Sequence, residues 1–119
     1  MLISEIISLL HADILTAPDH FDTDIQNAFS SDMMSDVLAY ANDHTMLITG
    51  LTNPQAIRTA EMLDIDCILY IRGKQPDCNT ITMAHTRGIT ILSTRQTMFN
   101  TCGILYEAGL RGGTIKNGK

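Results

Sequence analysis

Polar and basic side chains follow four apolar segments of this sequence, and each group lies just before a predicted helix. Helix N-termini favour anions because their free N–H groups and the helix dipole present positive charge there. The pattern therefore predicts a binding site for a small anion such as a phosphate or a carboxylate. The candidate ligand-binding residues are Ser31, Asp32, Thr49, Gly50, Asn53, Arg72, Gly73, Lys74, Ser93, Thr94, Arg95 and Thr97. The alternative is that these serine, threonine and asparagine residues only cap helices and the glycines only serve turns.

No set of residues has the spacing of a catalytic or metal site. The four histidines (His11, His20, His44 and His85) lack metal-ligand spacing with cysteine or carboxylate residues. The sequence contains no phosphate-binding loop, nucleophile elbow, zinc-protease motif or dinucleotide-binding glycine motif. We therefore expect no catalytic residue, no metal and no cofactor.

The composition indicates one globular domain. The 119 residues are 45% hydrophobic and 18% charged, which suits a folded domain rather than a disordered chain. No apolar run is long enough to span a membrane, and no basic region precedes the first apolar stretch, so we expect neither a membrane protein nor a secreted one. Cys67, Cys78 and Cys102 are too widely spaced for a disulfide framework, which favours reduced thiols in the cytoplasm. The net charge of −5 counts against nucleic-acid binding.

Three apolar segments, 46–49, 67–71 and 89–92, predict buried strands that begin about 22 residues apart. A glycine follows each of the first two strands, and Pro54 or Pro76 then opens a helix. A repeated strand–helix unit of this length indicates right-handed βαβ crossovers. We therefore predict an α/β fold: a small, single-domain, mainly parallel sheet with helices packed on it.

The predicted domain covers residues 1–110, and residues 111–119 are expected to form a flexible basic tail. Earlier elements are a helix over 2–10 and strands over 13–16 and 25–29, whose positions in the sheet the pattern leaves open. The expected N-cap residues are Ser30, Ser31 and Asp32 for the helix that follows the second strand, and Ser93 or Thr94 for the last helix. Ligands of parallel sheets bind at the carboxyl ends of the strands, where the candidate residues lie.

Charge is divided unevenly along the chain. Residues 1–66 contain eleven acidic residues and one basic residue, whereas residues 67–119 contain two acidic and seven basic residues. Such a division can draw the two halves together, pair subunits or create a local anion site. It can also be ordinary solvated surface charge.

Three segments carry a resemblance to a known family. Residues 68–76 form a strand and a glycine–proline turn, residues 88–94 form a second strand followed by Thr97, and residues 28–38 contain a Ser-Asp-rich stretch. These segments resemble the DRTGG domain, including its small stand-alone members, over roughly residues 1–110. Two positions depart from the family pattern: Arg72-Gly73-Lys74 replaces a Thr-Gly-Gly type sequence, and Thr90 stands where proline is usual.

The resemblance implies an accessory, regulatory role. The DRTGG domain is similar to the N-terminal domain of the kinase/phosphorylase of the histidine-containing phosphocarrier protein, and it occurs beside CBS domains and in some phosphotransacetylases. The family has no catalytic residues to assign to positions of this chain.

Three hypotheses follow. The first is a non-catalytic, homodimeric regulatory module that binds a nucleotide or phosphorylated metabolite at the strand ends. The second is a ligand-free module for dimerisation and docking to a kinase, ATPase or redox protein. The third is a small phosphotransfer enzyme that uses a serine or threonine at a helix N-terminus.

Overall fold

A central sheet separates two layers of helices. The computed structural model describes residues 1–42 and 44–113. Within those ranges the chain forms five helices and five strands. In chain order they are α1 Ile3–Leu10, β1 Asp13–Thr16, β2 Asn27–Ser30, α2 Met34–Tyr40, β3 Thr45–Thr49, α3 Gln55–Met62, β4 Cys67–Tyr70, α4 Cys78–Thr86, β5 Thr90–Ser93 and α5 Met98–Glu107.

The strand order is β1-β5-β4-β3-β2, and all neighbouring pairs are parallel except β1 with β5. The predicted α/β class and mainly parallel sheet are therefore confirmed. The first two strands lie at opposite edges of the sheet. β2 begins later than the predicted residue 25, because the Ile25 N–H donates to the Met1 carbonyl at 2.7 Å instead of joining the sheet.

Side chains of the buried strands alternate between the two helical layers, as the two-residue period of a strand requires. Leu47, Ile68 and Tyr70 pack under α2, α3 and α4, on the face we call the first face. Ile48 and Leu69 pack under α1 and α5, on the second face. Each buried leucine or isoleucine side chain contributes roughly 1.5–3 kcal/mol of transfer free energy.

The helix after β5 covers a different face of the sheet from the helices between the parallel strands. The helices that precede β3, β4 and β5 all cover the first face, whereas α5, which follows β5, covers the second face. The connections leaving β4 and β5 therefore diverge to opposite sides of the sheet.

Two predicted helix caps are wrong. Met33 is the N-cap of α2 and makes no side-chain capping bond, because the Asp32 carboxylate accepts hydrogen bonds from Thr49 and Gly50 instead. Thr97, rather than Ser93 or Thr94, caps α5, since residues 94–96 form a turn that is bonded to the loop after β4.

The end of the described chain lies against β2. The Ala28 N–H donates to the Arg111 carbonyl at 3.1 Å, and Gly112 forms a bridge with Ala28. The guanidinium of Arg111 lies 3.7 Å from the ring centroid of Tyr106. Contacts with the fold thus continue past residue 110, and residues 114–119 of the predicted tail lie outside the described residues.

No helix within residues 1–42 and 44–113 is long and apolar enough to cross a membrane. The same part of the chain holds no cluster of three histidine, cysteine or acidic residues that could bind a metal ion.

Candidate functional site at the carboxyl edge of the sheet

The candidate residues follow four parallel strands, so they lie along one edge of the sheet. They do not form one site. Asp32, Thr49 and Gly50 interact beside β2 and β3, whereas Gly73, Ser93, Thr94 and Arg95 line a cavity beside β4 and β5.

Beside β3, a carboxylate of the chain takes the hydrogen bonds that an anion would use. Asp32 Oδ1 accepts from Thr49 Oγ1 at 3.0 Å and from the Gly50 N–H at 2.7 Å. The Arg72 guanidinium also reaches this corner, since one of its terminal nitrogens lies 3.0 Å from the position that a Cβ on Gly50 would occupy. The donors of Thr49 and Gly50 are therefore already satisfied by Asp32.

Beside β4 and β5 the edge opens into a cavity of about 440 Å³, which we call the rim cavity. The loop after β4 contributes Gly73 and Gln75. The other lining residues are Leu10, His11, Asp13, Ser93, Thr94, Arg95 and Gln96. Arg95 is the cationic side chain among them.

The rim cavity follows from the change of faces after β5. When the connections from two neighbouring parallel strands leave toward opposite faces, a crevice forms outside their carboxyl ends, and ligands of open α/β sheets bind in such crevices. The loops after β4 and β5 diverge in this way, toward α4 and α5.

Hydrogen bonds between the two loops hold the floor of the rim cavity. The Gly73 N–H donates to the Thr94 carbonyl, and the Arg72 N–H donates to the Gln96 carbonyl, both at 2.8 Å. The Ser93 hydroxyl donates to the Lys74 carbonyl at 2.8 Å. Arg72 adopts a left-handed backbone with a φ of 54°, which costs a non-glycine residue about 1–2 kcal/mol.

The end of α1 and the start of the antiparallel edge strand β1 form a further wall of the rim cavity. The Thr94 hydroxyl donates to the carbonyl of Leu10, the last residue of α1, at 3.0 Å. His11 follows in a left-handed conformation and turns the chain into β1. Because β1 runs antiparallel to β5, Asp13 at its start lies opposite Ser93 at the end of β5.

Five lining residues are not among those predicted from the sequence: Leu10, His11, Asp13, Gln75 and Gln96. The two glutamines lie within two residues of candidates and could have been found by extending each loop. The sequence gives no indication that Leu10, His11 and Asp13 line the cavity. The sequence of a short edge strand does not show which strand it pairs with or whether the pairing is parallel.

Other candidate residues have local roles. Asn53 Oδ1 accepts from the Gln55 N–H at 3.0 Å, and Thr97 Oγ1 accepts from the Asn100 N–H at 3.3 Å. Ser31 Oγ accepts from the Met33 N–H at 3.0 Å. These are the bonds that the capping and turn alternative predicts. Lys74 is exposed and adjoins the cavity through its carbonyl.

No family model matches the sequence, and no curated protein matches it either. Among solved structures, the chain is similar to the CBS and DRTGG domains of the regulatory region of Clostridium perfringens pyrophosphatase, complexed with the activator diadenosine tetraphosphate. The TM-score is 0.71 at 15% sequence identity, over 87% of this chain. The two proteins share a fold.

This chain covers 45% of the pyrophosphatase chain, so it spans less than half of that regulatory region. The likeness shows a fold similar to that of the CBS and DRTGG domains. It agrees with the resemblance seen in the sequence at the level of the fold.

Proposed function

We propose that this protein is a regulatory module that binds a small anionic ligand, a nucleotide or a phosphorylated metabolite, in the rim cavity. The observation that carries the proposal is the position of that cavity, at the point where the loops after β4 and β5 diverge, with the cationic residue Arg95 among its lining residues. The fold shared with a pyrophosphatase regulatory region, itself complexed with a nucleotide activator, supports the regulatory role.

The proposed module acts by binding and carries out no chemistry. It is a cytoplasmic homodimer that reports the ligand to a kinase, an ATPase or a redox protein. The free thiols of Cys67, Cys78 and Cys102 support a reducing compartment. Phosphoryl transfer from ATP or acetyl phosphate to the protein would contradict the non-catalytic part of the proposal.

Calorimetric titration and thermal unfolding test the binding. The probes are inorganic phosphate, acetyl phosphate, AMP and ATP, and the variants are Arg95→Gln and, as a matched control, Arg58→Gln on the exposed side of α3. A ligand present at 100 times its Kd adds about 2.7 kcal/mol to the free energy of unfolding. We expect at least one probe to bind the wild type and the Arg58 variant, and to bind the Arg95 variant about tenfold or more weakly, as for a lost hydrogen bond to a charged group. Absence of binding by every probe, or equal binding by both variants, would contradict the proposal.

Exposed aromatic residues on α5 favour docking as a second candidate function. Phe99 is 86% exposed and Tyr106 is 60% exposed, and their spacing of seven residues places them on one side of the helix. Aromatic side chains are enriched in the cores of protein interfaces. If docking through α5 is the function, Phe99→Ser will abolish self-association in light scattering or capture of a partner protein while leaving ligand binding unchanged. A monomeric wild type that captures no partner would exclude this candidate.

A further inference from the structure

We infer that the rim cavity takes a phosphorylated sugar, either free or as part of a nucleotide, rather than a bare anion. This inference rests on the proposed function and names the chemical class of its ligand. It is carried by the size of the cavity and by the hydrogen-bonding capacity that its side chains have left over.

The cavity is larger than a phosphate alone requires. Its volume of about 440 Å³ equals the space of about fifteen water molecules at roughly 30 Å³ each. That volume lies in the range of roughly 300–1,000 Å³ that is usual for small-molecule pockets. An inorganic phosphate on Arg95 would leave most of the cavity filled with water.

The two hydroxyls in the wall, on the buried residues Ser93 and Thr94, have no proton left to donate to a ligand. Ser93 donates its hydroxyl proton to the Lys74 carbonyl, and Thr94 donates its proton to the Leu10 carbonyl. Once a hydroxyl has donated, only its lone pairs remain for a ligand. On Thr94 one of these lone pairs already accepts from the Gln96 N–H at 3.3 Å.

Asp13 adds further acceptors to the same wall. An ionised carboxylate only accepts hydrogen bonds, and Asp13 has no ion-pair partner within residues 1–42 and 44–113. A fully anionic ligand would be repelled by this carboxylate. A ligand that brings hydrogen-bond donors to Asp13 and its negative charge to Arg95 therefore matches this lining better than a bare anion does.

A sugar phosphate meets both requirements, because its hydroxyls donate and its phosphate accepts. The pairing of an aspartate with the sugar hydroxyls of a nucleotide has a physical precedent at the same kind of crevice in dinucleotide-binding sheets. Free sugar phosphates and ribonucleotides share this chemistry, and the experiment distinguishes the two sources.

Calorimetric titration of the full chain tests the inference with ribose 5-phosphate, 2-deoxyribose 5-phosphate and inorganic phosphate. The variants are Asp13→Asn and, as a matched control, Asp19→Asn, an exposed residue that does not line the cavity. We expect the wild type and the Asp19 variant to prefer ribose 5-phosphate over its deoxy analogue by about tenfold, the effect of one hydrogen bond to a charged acceptor. In the Asp13 variant we expect this preference to fall to within about twofold, with phosphate binding unchanged or tighter. Thermal unfolding of each variant shows that the fold is retained.

AMP and its 2′-deoxy analogue identify the source of the sugar. Tighter binding of AMP than of ribose 5-phosphate assigns a nucleotide, and the reverse order assigns a free sugar phosphate; both results support the inference. Binding of phosphate or acetyl phosphate through Arg95, without discrimination by any sugar hydroxyl, would overturn the inference and leave the proposed function standing. Absence of binding by every probe would overturn both.

Discussion

Asp32 shows how one side chain decides where an anion can bind. Its position before a predicted helix makes it a ligand-binding candidate, yet its carboxylate already accepts hydrogen bonds from Thr49 and Gly50. Thr49 is fully buried, so its hydroxyl depends on this partner. The hydrogen bonds of Thr49 and Gly50 at the end of β3 are therefore made within the chain, and the proposed ligand site lies at the ends of β4 and β5.

Replacing Asp32 with alanine should destabilise the protein. The substitution removes two hydrogen bonds to a charged acceptor and leaves the proton of the buried Thr49 hydroxyl without an acceptor, at a cost of about 1–3 kcal/mol. Asp19→Ala, in an exposed loop, is the control and should change stability by less than about 0.5 kcal/mol. Urea unfolding measures both variants. Equal stability of the two variants would show that Asp32 is not a structural acceptor.

Cys67 should make the free energy of unfolding depend on pH in the alkaline range. Burial, with a smaller effect of Asp66, raises the pKa of the Cys67 thiol from 9.0 to about 12. The unfolded chain loses this proton above pH 9.0, whereas the folded chain keeps it until about pH 12, so the free energy of unfolding must fall as the pH rises between these values. At pH 10 the loss is about 1 kcal/mol.

Cys67→Ala should remove most of this pH dependence. The variant is less stable at every pH because it leaves a small cavity, but its free energy of unfolding should fall less steeply than that of the wild type between pH 8 and pH 10. Urea unfolding at several pH values measures the two slopes. Parallel slopes would mean that the thiol ionises equally in both states.

Among the helices and strands, the sequence predicts best those with the clearest hydrophobic pattern. β3, β4 and β5 are continuous apolar runs, because both of their faces are covered by helices, and their parallel pairing was predicted and is confirmed. The edge strands are short and half exposed, so their side chains carry little information about a partner. Packing across the sheet determines that α5, after β5, covers the second face. The spacing of apolar residues along the chain does not predict this. For this reason four lining residues of the rim cavity were predicted and the wall from α1 and β1 was missed.

The attachment of α1 to the rim cavity depends on Thr94. Thr94→Val keeps the shape of the side chain but removes the hydrogen bond to the Leu10 carbonyl, so we expect a loss of about 1 kcal/mol. Hydrogen exchange should show faster opening of the last turn of α1, with α3 unchanged as an internal control. Unchanged exchange in α1 would show that this bond does not hold the wall in place.

For the molecule as a whole, the carboxyl edge of the sheet is the proposed functional surface, and this edge has two parts. Asp32 fills the part beside β3, and the rim cavity opens the part beside β5. The charge division in the sequence has a local counterpart in the ion pair between Glu61 on α3 and Arg87 at the end of α4, which joins the acidic and basic halves of the chain.

An amide chemical-shift titration of the isotope-labelled protein with AMP, ribose 5-phosphate and inorganic phosphate tests this division most directly. If ligands bind in the rim cavity, the amide signals of Gly73, Gln75 and residues 94–96 will shift saturably with at least one probe. The amide signals of Thr49 and Gly50, whose hydrogen bonds are made with Asp32, will not shift. Shifts centred on Thr49 and Gly50, or no shift with any probe, would contradict the proposed ligand site.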